Sequence, residues 1–467
     1  MTAKKLLPFI VILALLGTLA LITKKDNTPT SITEQAGLKS LVPDGLDADD
    51  LEKLELFAAA KPDEKVVLVK QDNSWRIASQ YNAPVDEDTL DEYLKKLVRL
   101  KGEYRDDAET DEKLARFNLK DDQAFRVLAY EDAASGPVID ILVGKSDRNG
   151  AFLRPAGDNK VYVEAFNPRS EAGVYGEAIE TAPEHGKWLD KDITELDKET
   201  FTKVVLEFPD KKLTFEKKEI PAEVPEVPEG EAAPPAAPPE IKWELAEGGP
   251  GGDYTESAFN NLLLRAEGLD ATDVADPAKL AEWNLDAPAF KCTISAEGQE
   301  EVVIEGGRPE LTGNGYVRVA TSGDDTVYEV SSYYFEQLFP KGNSLFSLPK
   351  LSLEQDSIDR VVIDQPEGRV VLAKNGEDWS VERPNLDLVI QSSAISTLAS
   401  ALAAWTPEDY ADAGANPGSF DRSVTATVDG KTHRITIADD SKTIDGVYAK
   451  LDGEDAILTM KRADFDK

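Results

Sequence analysis

Two histidines and one cysteine are the only imidazole and thiol groups in this chain of 467 residues. His185 lies in a Pro-Glu-His-Gly segment typical of a loop, and His433 begins a strand-like run. Neither histidine combines with other residues into a convincing Ser-His-Asp arrangement or metal cluster. The lone Cys292 lies in an alternating apolar and polar run, which favours a packed core cysteine over a thiol nucleophile.

Aspartates are dense just before the first predicted strand, at Asp44, Asp47, Asp49 and Asp50. They could suggest calcium, but their spacing departs from that of a calcium-binding loop and lacks its internal glycine. A capped turn is the simpler interpretation. Acidic pairs occur elsewhere because 89 residues of the chain are Asp or Glu. We predict no metal ligands.

One short segment, Gly144-Lys145-Ser146, resembles the end of a phosphate-binding loop. The motif requires a glycine five residues earlier, where this chain has Ile139, and a following helix, where the sequence predicts strands. The match therefore fails, and we predict no cofactor-binding residues and no cofactor. Since the sequence also contains no convincing set of catalytic residues, we expect that the protein is not an enzyme.

The charge balance narrows the range of partners. The chain has 89 acidic and 52 basic residues, a formal net charge of −37. Such a surface repels nucleic-acid phosphates, so we predict no nucleic-acid partner. With 41% hydrophobic and 30% charged residues the composition is that of a folded protein, and the length suggests about three domains.

The N-terminal segment contains an uncharged apolar run over residues 6–22, with two lysines on each side. As a helix with ~1.5 Å rise per residue, the run would measure roughly 25 Å. Flanking lysines that snorkel can extend it toward the ~30 Å hydrocarbon core of a bilayer. We predict a membrane anchor over residues 1–25 that crosses the bilayer through residues 6–22.

A cleavable signal peptide is the rival interpretation of this segment. Thr18-Leu19-Ala20 is a weak match to a cleavage site, and the apolar run continues past it, which favours an uncleaved anchor. Two lysines flank each end of the run, so the positive-inside rule barely favours one orientation over the other. The acidity of the downstream chain favours placing its bulk outside the cytoplasm. Residues 26–40 are polar and unpatterned, and we interpret them as a tether.

The strongest pattern is an internal repeat, predicted as modules over residues 41–175, 188–340 and 345–467. Each module opens with a strand whose apolar residues fall at i, i+3 and i+5, followed by a second strand and a strand that begins with tryptophan. The three opening sets and their tryptophans are Leu51, Leu54, Leu56 and Trp75; Phe201, Val204, Leu206 and Trp243; Ile358, Val361, Ile363 and Trp379.

A helix follows each tryptophan at nearly constant distance, with its stripe beginning at Leu90, Phe259 or Ile395. Asp86 and Asp88 are both candidates to cap the first helix, and Asp253 is predicted to cap the second. An aromatic landmark then lies 42, 40 and 41 residues beyond the tryptophan, at Phe117, Trp283 and Phe420. Further short strands close each module. This pattern predicts an α+β fold of three tandem antiparallel sheets, each with a packed helix, after one transmembrane helix.

The second module carries an insertion over residues 220–240, with seven prolines and no aromatic residue. Its composition is typical of an extended, polyproline-like segment. The first module has only the turn 71–74 at this place, so the insertion enlarges a hairpin loop. A partner-docking arm and a disordered surface loop are both compatible with the composition.

As a whole, the chain resembles a family of membrane-anchored bacterial proteins catalogued as domain of unknown function 4340. The resemblance rests on the lead into Leu54 and Leu56, the strand pair ending in Trp75-Arg76-Ile77, and the helix 89–100. These features recur from Trp188-Leu189-Asp190 through Val204 and from Ile358 through Trp379. The Pro-rich insertion departs from the pattern.

Membership in this family would imply a gene neighbourhood shared with gliding-motility-type ABC transporters, and no catalytic residues to carry over. We therefore expect a non-enzymatic accessory protein in a bacterial cytoplasmic membrane, with its bulk outside the cytoplasm. Its expected partners are an ABC-type permease or an associated extracytoplasmic subunit of a transport or surface-assembly complex. A lipid- or glycan-binding carrier module is the alternative, and a carboxylate-based hydrolase is the least favoured one.

Overall fold

The computed structural model describes residues 38–147, 150–176, 178, 180–220, 240–310, 312–376, 378–384, 391–411, 414–438 and 446–465. The chain divides into two compact units, Met1–Lys191 and Asp192–Lys467. Among the described residues, no helix is long and apolar enough to cross a membrane. The predicted anchor and most of the tether lie outside the described residues, as does nearly all of the Pro-rich insertion.

The first unit contains an antiparallel sheet, called sheet 1, with the strand order β1-β6-β10-β9-β8-β7-β2-β3-β4-β5. Its strands are β1 (Lys39–Ser40), β2 (Lys53–Ala58), β3 (Val66–Gln71), β4 (Ser74–Ile77), β5 (Ala83–Pro84), β6 (Lys101–Asp107), β7 (Phe125–Tyr130), β8 (Ile139–Asp147), β9 (Gly150–Pro155) and β10 (Lys160–Glu164). Its helices are α1 (Glu87–Leu97), α2 (Asp111–Phe117) and α3 (Pro168–Glu171).

The second unit contains two larger sheets and a small one. The strands before residue 340 are β11 (Asp192–Glu195), β12 (Phe201–Glu207), β13 (Lys212–Ile220), β14 (Glu240–Glu247), β15 (Gly268–Asp270), β16 (Asp273–Ala275), β17 (Phe290–Ala296), β18 (Val302–Gly307), β19 (Gly315–Val319) and β20 (Val327–Val330). The helices there are α4 (Glu256–Glu267) and α5 (Ser332–Leu338). β11 pairs with β15, and the other strands form sheet 2 in the order β14-β13-β12-β17-β18-β19-β20-β16.

Beyond residue 340 the second unit forms sheet 3. Its strands are β21 (Ile358–Gln365), β22 (Gly368–Asn375), β23 (Asp378–Arg383), β24 (Asp409–Tyr410), β25 (Arg422–Val428), β26 (Lys431–Ala438), β27 (Gly446–Leu451) and β28 (Leu458–Lys461), with the helices α6 (Ser392–Ala403) and α7 (Arg462–Phe465). The strand order is β23-β22-β21-β25-β26-β27-β28-β24. When the eight strands are numbered along the chain within each sheet, sheets 2 and 3 both have the order 3-2-1-5-6-7-8-4. The eight neighbouring strands of sheet 1 from β4 to β6 have this order too.

The registers of the three sheets agree as well as their orders. In each sheet the leading tryptophan lies directly opposite a lysine of the preceding strand: Lys70↔Trp75, Lys217↔Trp243 and Lys374↔Trp379. Two of these lysines also donate to the turn before the first strand, Lys217 to the Glu199 carbonyl at 2.5 Å and Lys374 to that of Asp356 at 2.9 Å. The sequence does not reveal this shared pairing, because the insertion separates Lys217 from Trp243 in the second module.

The predicted core positions are buried. Eight of the nine opening apolar residues have relative exposures of 0%, with Ile363 half-buried. The predicted helix stripes also face the core, through Leu90, Leu94 and Leu97 of α1, Phe259, Leu262 and Leu263 of α4, and Ile395 and Leu402 of α6. The mixed α and β class with antiparallel sheets is thus confirmed.

The predicted helix caps have different outcomes. Asp86 caps α1, since its carboxylate accepts from the Thr89 backbone N–H at 3.0 Å, whereas Asp88 lies within the first turn of the helix. The Asp253 prediction was wrong, because Thr255 occupies the N-cap of α4. The backbone carbonyl of Asp253 instead accepts a hydrogen bond from Ser347 N–H at 2.9 Å. Thr255 makes no side-chain cap, and its hydroxyl is hydrogen-bonded to the Ser347 hydroxyl at 3.0 Å.

A short segment after sheet 1 returns to the start of α1. Leu189 forms a β-bridge with Val85, and the Trp188 carbonyl accepts from Asp86 N–H at 2.8 Å. Trp188 is fully buried, with its ring edge-on to Tyr93 at 5.2 Å. We predicted the second module from residue 188, whereas residues 188–190 pack in the first unit and the second begins at Asp192.

The segment between sheets 2 and 3 is hydrogen-bonded along its length. Its backbone bonds are Thr255 N–H to Leu345 O, Ser347 N–H to Asp253 O, Leu351 N–H to Trp405 O and Leu353 N–H to Ala403 O, all between 2.7 and 2.9 Å. Leu345 and Leu351 are also buried in one apolar core that runs from sheet 2 into sheet 3. The two sheets therefore share their interior.

Cys292 provides a test of the packing of sheet 2. Its side chain is fully buried, and burial raises the pKa of the thiol to about 12. We expect no labelling of the native protein by a thiol reagent at about pH 8, and rapid labelling in denaturant, where the pKa returns to about 8.5. Rapid labelling of the native protein would contradict the buried placement.

Candidate interaction site

The residues singled out for chemistry lie in separate structural elements. Cys292 lies on β17 opposite Leu206 and Ile304, and His433 lies on β26. His185 lies in a 3₁₀ turn of the first unit. The segment 144–146 is part of β8, which agrees with the failed phosphate-loop match. Cys292 and His433 thus belong to different sheets of the second unit, and His185 belongs to the first unit.

The early aspartates form a turn, as expected. The Asp47 carboxylate accepts from Asp49 N–H at 3.3 Å and caps the 3₁₀ turn Ala48–Asp50. In the part of the chain that the structure describes, no group of three or more His, Cys, Asp or Glu side chains is arranged to hold a metal ion.

The features that stand out lie at the junction of sheets 2 and 3. A glycine-rich loop over residues 248–252 follows β14 and meets sheet 3. A Cβ atom on Gly252 would lie 2.0 Å from the Tyr410 hydroxyl oxygen, and one on Gly251 would lie 3.7 Å from the Ala456 Cβ. A side chain at position 252 would therefore require Tyr410 to shift, because the backbone itself packs against the phenol.

Tyr410 ties this loop to the connecting segment. Its hydroxyl donates a short hydrogen bond to the Ser347 carbonyl. Burial, together with the carboxylate of Glu454, raises the pKa of Tyr410, so the hydroxyl keeps its proton as the donor. The phenol thus lies between the glycine loop and residue 347, and it couples both to sheet 3.

Beside this contact is a cleft of about 390 Å³. It is bordered by the 210–211 turn, the glycine loop, residues 342–343, and the loops around Asp409 and Asp455. Lys211 donates to the Gly342 carbonyl and, at 3.3 Å, to the Asn343 side-chain oxygen. The Asn343 amide donates to Asp409 at 3.3 Å. This hydrogen-bond chain joins sheet 2 to sheet 3 across the cleft.

The β13–β14 hairpin projects beyond the body of sheet 2. β12 pairs with β13 only as far as Lys203↔Glu216, whereas β13 and β14 continue to pair up to Ile220↔Glu240. On this projecting part Ile220 is 38% and Ile241 56% exposed. The Pro-rich insertion joins the ends of the two strands, and its residues 221–239 lie outside the described residues.

The first unit has an open cleft of about 580 Å³ with a polar lining. It is formed by the turn around residues 61–66, by Ser79 and Gln80, and by the loop that contains Thr181 and His185. Lys61 pairs with Glu64 at 3.2 Å, and Lys65 with Glu55 at 2.9 Å. The lysines here are thus neutralised, and the cleft offers donors and acceptors with few apolar groups.

The leading tryptophans of the first two modules pack against the core. Trp75 is 8% exposed, and the half-buried Trp243 packs its ring 5.3 Å from that of Phe259 on α4. Each landmark aromatic contacts the next-to-last strand of its sheet in chain order. Phe117 packs on Phe152 of β9, Trp283 packs on Tyr316 of β19, and Phe420 lies under the Lys450 ammonium of β27. Sequence spacing had located these residues, but not the glycine loop, whose role arises from a contact far along the chain.

Comparison with known proteins gives one finding. The family model described as "Domain of unknown function (DUF4340)" matches residues 75–245 and again residues 243–421. The two matches meet at the second leading tryptophan, so the family unit recurs along the chain. Neither the curated proteins nor the solved structures contain a significant match.

The Gly252–Tyr410 contact can be tested with a double-mutant cycle. Gly252→Ala should destabilise the second unit by about 1–3 kcal/mol through overpacking, and Tyr410→Phe by about 1 kcal/mol through its lost hydrogen bond. Because removing the hydroxyl relieves part of the clash, the double variant should lose less than the sum. The rate of Cys292 labelling at denaturant concentrations below the unfolding transition measures each loss, because the buried thiol reacts only after the protein opens.

Gly268→Ala is the matched control, since a Cβ atom there meets nothing within 4 Å. It should leave the labelling rate close to wild type. Strict additivity of Gly252→Ala and Tyr410→Phe would contradict a direct contact between the two residues.

Proposed function

We propose that this chain, which belongs to the family described as domain of unknown function (DUF4340), is a non-enzymatic accessory protein of an ABC-type transport or cell-surface assembly complex. It is held in a bacterial cytoplasmic membrane by residues 6–22, and its folded bulk lies outside the cytoplasm. It acts through contacts with a permease or an associated extracytoplasmic subunit.

The observation that carries this proposal is the recurrence of one strand order in three sheets. Together with the Lys–Trp register, it supports three copies of a single module along the chain. Tandem copies of one fold present an extended surface of related faces, and such arrays commonly serve as binding scaffolds. The module cores are filled by helix and sheet side chains, so contact is made through edges, loops and hairpins.

The membrane assignment draws on sequence. The apolar run over residues 6–22 has the length and flanking charge of a single anchor. A net charge of −37 keeps the exposed modules in solution and favours cationic protein surfaces as partners.

A glycan-binding carrier is the second candidate, and the polar cleft of the first unit favours it over a lipid carrier. The cleft combines hydroxyl, amide and carboxylate groups from Ser79, Gln80, Thr181 and Glu184. Such groups suit the hydroxyls of a sugar better than an acyl chain. Saturable binding of envelope oligosaccharides, with NMR chemical-shift changes confined to these residues, would favour this function.

The leading proposal predicts that the tagged full-length chain, purified from detergent-solubilised membranes, brings a permease or its soluble partner with it. The control is an unrelated single-pass protein of similar acidity, purified the same way, because it reports nonspecific capture by charge. Repeated recovery of the chain alone, even after chemical crosslinking in intact cells, would overturn the proposal.

A further inference from the structure

Three side chains with complementary chemistry meet at the junction of sheets 2 and 3. Lys211 lies in the turn between β12 and β13, Asn343 lies in the connecting segment, and Asp409 begins β24. The Lys211 Nζ is 3.3 Å from the Asn343 Oδ1, and the Asn343 Nδ2 is 3.3 Å from the Asp409 Oδ1. The fold thus places an amine, a carboxamide and a carboxylate in direct succession.

Further contacts hold these three groups in place. The Lys211 ammonium also donates to the Gly342 carbonyl and lies 5.3 Å from the centroid of the Phe208 ring. The Asp409 Oδ1 also accepts from the Tyr410 backbone N–H at 2.7 Å. The lysine, the asparagine and the aspartate are all half-buried, so part of their conformational freedom is already lost in the folded protein.

This arrangement contains the parts that an amide exchange requires. An uncharged lysine amine is a nucleophile toward carbonyl carbons. Because a C=O bond is about 1.2 Å long, the Lys211 Nζ lies no more than about 4.5 Å from the Asn343 Cγ. A carboxamide reacts slowly with amines in solution, but well-oriented intramolecular reactions have effective molarities of about 10⁵–10⁸ M. The proximity of the two groups is therefore the advantage that the reaction needs.

We infer that the Lys211 amine attacks the Asn343 carboxamide and forms an isopeptide bond between sheet 2 and the connecting segment. A bond forms between Nζ and Cγ, the bond between Cγ and Nδ2 breaks, and ammonia leaves. The proton that the attacking nitrogen loses ends on the departing nitrogen. Asp409 accepts a hydrogen bond from that departing nitrogen, so its carboxylate is positioned to transfer the proton.

The charges around Lys211 govern how fast the bond forms. Asp210, Asp409 and Asp455 line the same cleft, and carboxylates near an amine favour its charged form, which is not nucleophilic. An ordinary lysine is uncharged in only about one molecule in 10³ near neutral pH. Because the bond forms only once in each molecule, a slow reaction is sufficient. Its rate should increase with pH as more of the amine loses its proton.

The bond would make the junction of sheets 2 and 3 covalent. Lys211 and Asn343 are 132 positions apart in the chain. A crosslink that closes such a long loop stabilises a fold mainly by restricting the unfolded chain. Since the chain has one cysteine, an intramolecular disulfide cannot serve this purpose. The inference concerns the folded chain itself and does not depend on the accessory function.

Mass spectrometry of the full-length chain in detergent tests this inference. After prolonged incubation at about pH 9, where more of the amine is uncharged, we expect a loss of one ammonia from the intact mass. A tryptic digest should then contain a branched peptide that carries both Lys211 and Asn343. A succinimide at an Asn-Gly pair also releases ammonia but gives no branched peptide. An unchanged mass, or a loss of ammonia without the branched peptide, would overturn the inference.

Three variants test the assigned roles. Lys211→Arg keeps the charge but removes the amine, so the loss of ammonia should disappear, whereas the matched control Lys212→Arg, at an exposed neighbour, should retain it. Asp409→Asn should slow formation of the branched peptide by about tenfold or more. Protection of the buried Cys292 thiol from labelling verifies that each variant is folded. An equal loss of ammonia in Lys211→Arg, or an equal rate in Asp409→Asn, would overturn the proposed reaction.

Discussion

The edge strand of an antiparallel sheet must have its outward backbone groups paired, protected or covered, since an open edge invites pairing with other chains. The first and second sheets of this protein meet that constraint in different ways. Sheet 1 folds the two residues of β5 onto β4, and Trp75 becomes buried. In sheet 2 the corresponding chain is a glycine loop, which packs against Leu245 of β14 at Gly249 and against Tyr410 of sheet 3 at Gly252. On the same edge the Tyr254 hydroxyl donates to the Trp243 carbonyl at 2.7 Å.

The glycine loop couples sheet 2 to sheet 3, so the two modules of the second unit are not independent of each other. The connecting segment is hydrogen-bonded to the chain before α4 and to the chain after α6, and one apolar core runs through both sheets. Lys211, Asn343 and Asp409 add a polar connection beside it. Sheets 2 and 3 are therefore held together by apolar and polar contacts.

Periodicity and spacing predicted those features that depend on local pattern. The apolar positions at i, i+3 and i+5, the helix stripes, the strand placement of Cys292 and the capping role of Asp86 follow from short-range rules, and the structure agrees with them. Features decided by distant residues were out of reach. Asp253 looked like a helix cap, but its carbonyl is bonded to Ser347, which lies 94 residues further along the chain.

The same distinction applies to the candidate site. The hairpin and its insertion are visible in the sequence as a proline-rich enlargement of a turn. The contacts along the edge of β14 depend on where residues 248–252 pack, and a run of glycines carries no side chain that could indicate its neighbour. The module boundary near Trp188 was out of reach for the same reason, because the packing of Trp188 on Tyr93 places this segment in the first unit.

The most direct test of the accessory function is photo-crosslinking in living cells from reactive amino acids placed one at a time at exposed residues of the full-length chain, among them Ile220 and Ile241 on the β13–β14 hairpin. The account predicts a discrete crosslink to a transport or surface-assembly protein from at least one position. Crosslinks from no position, or one nonspecific pattern from every position, would contradict it.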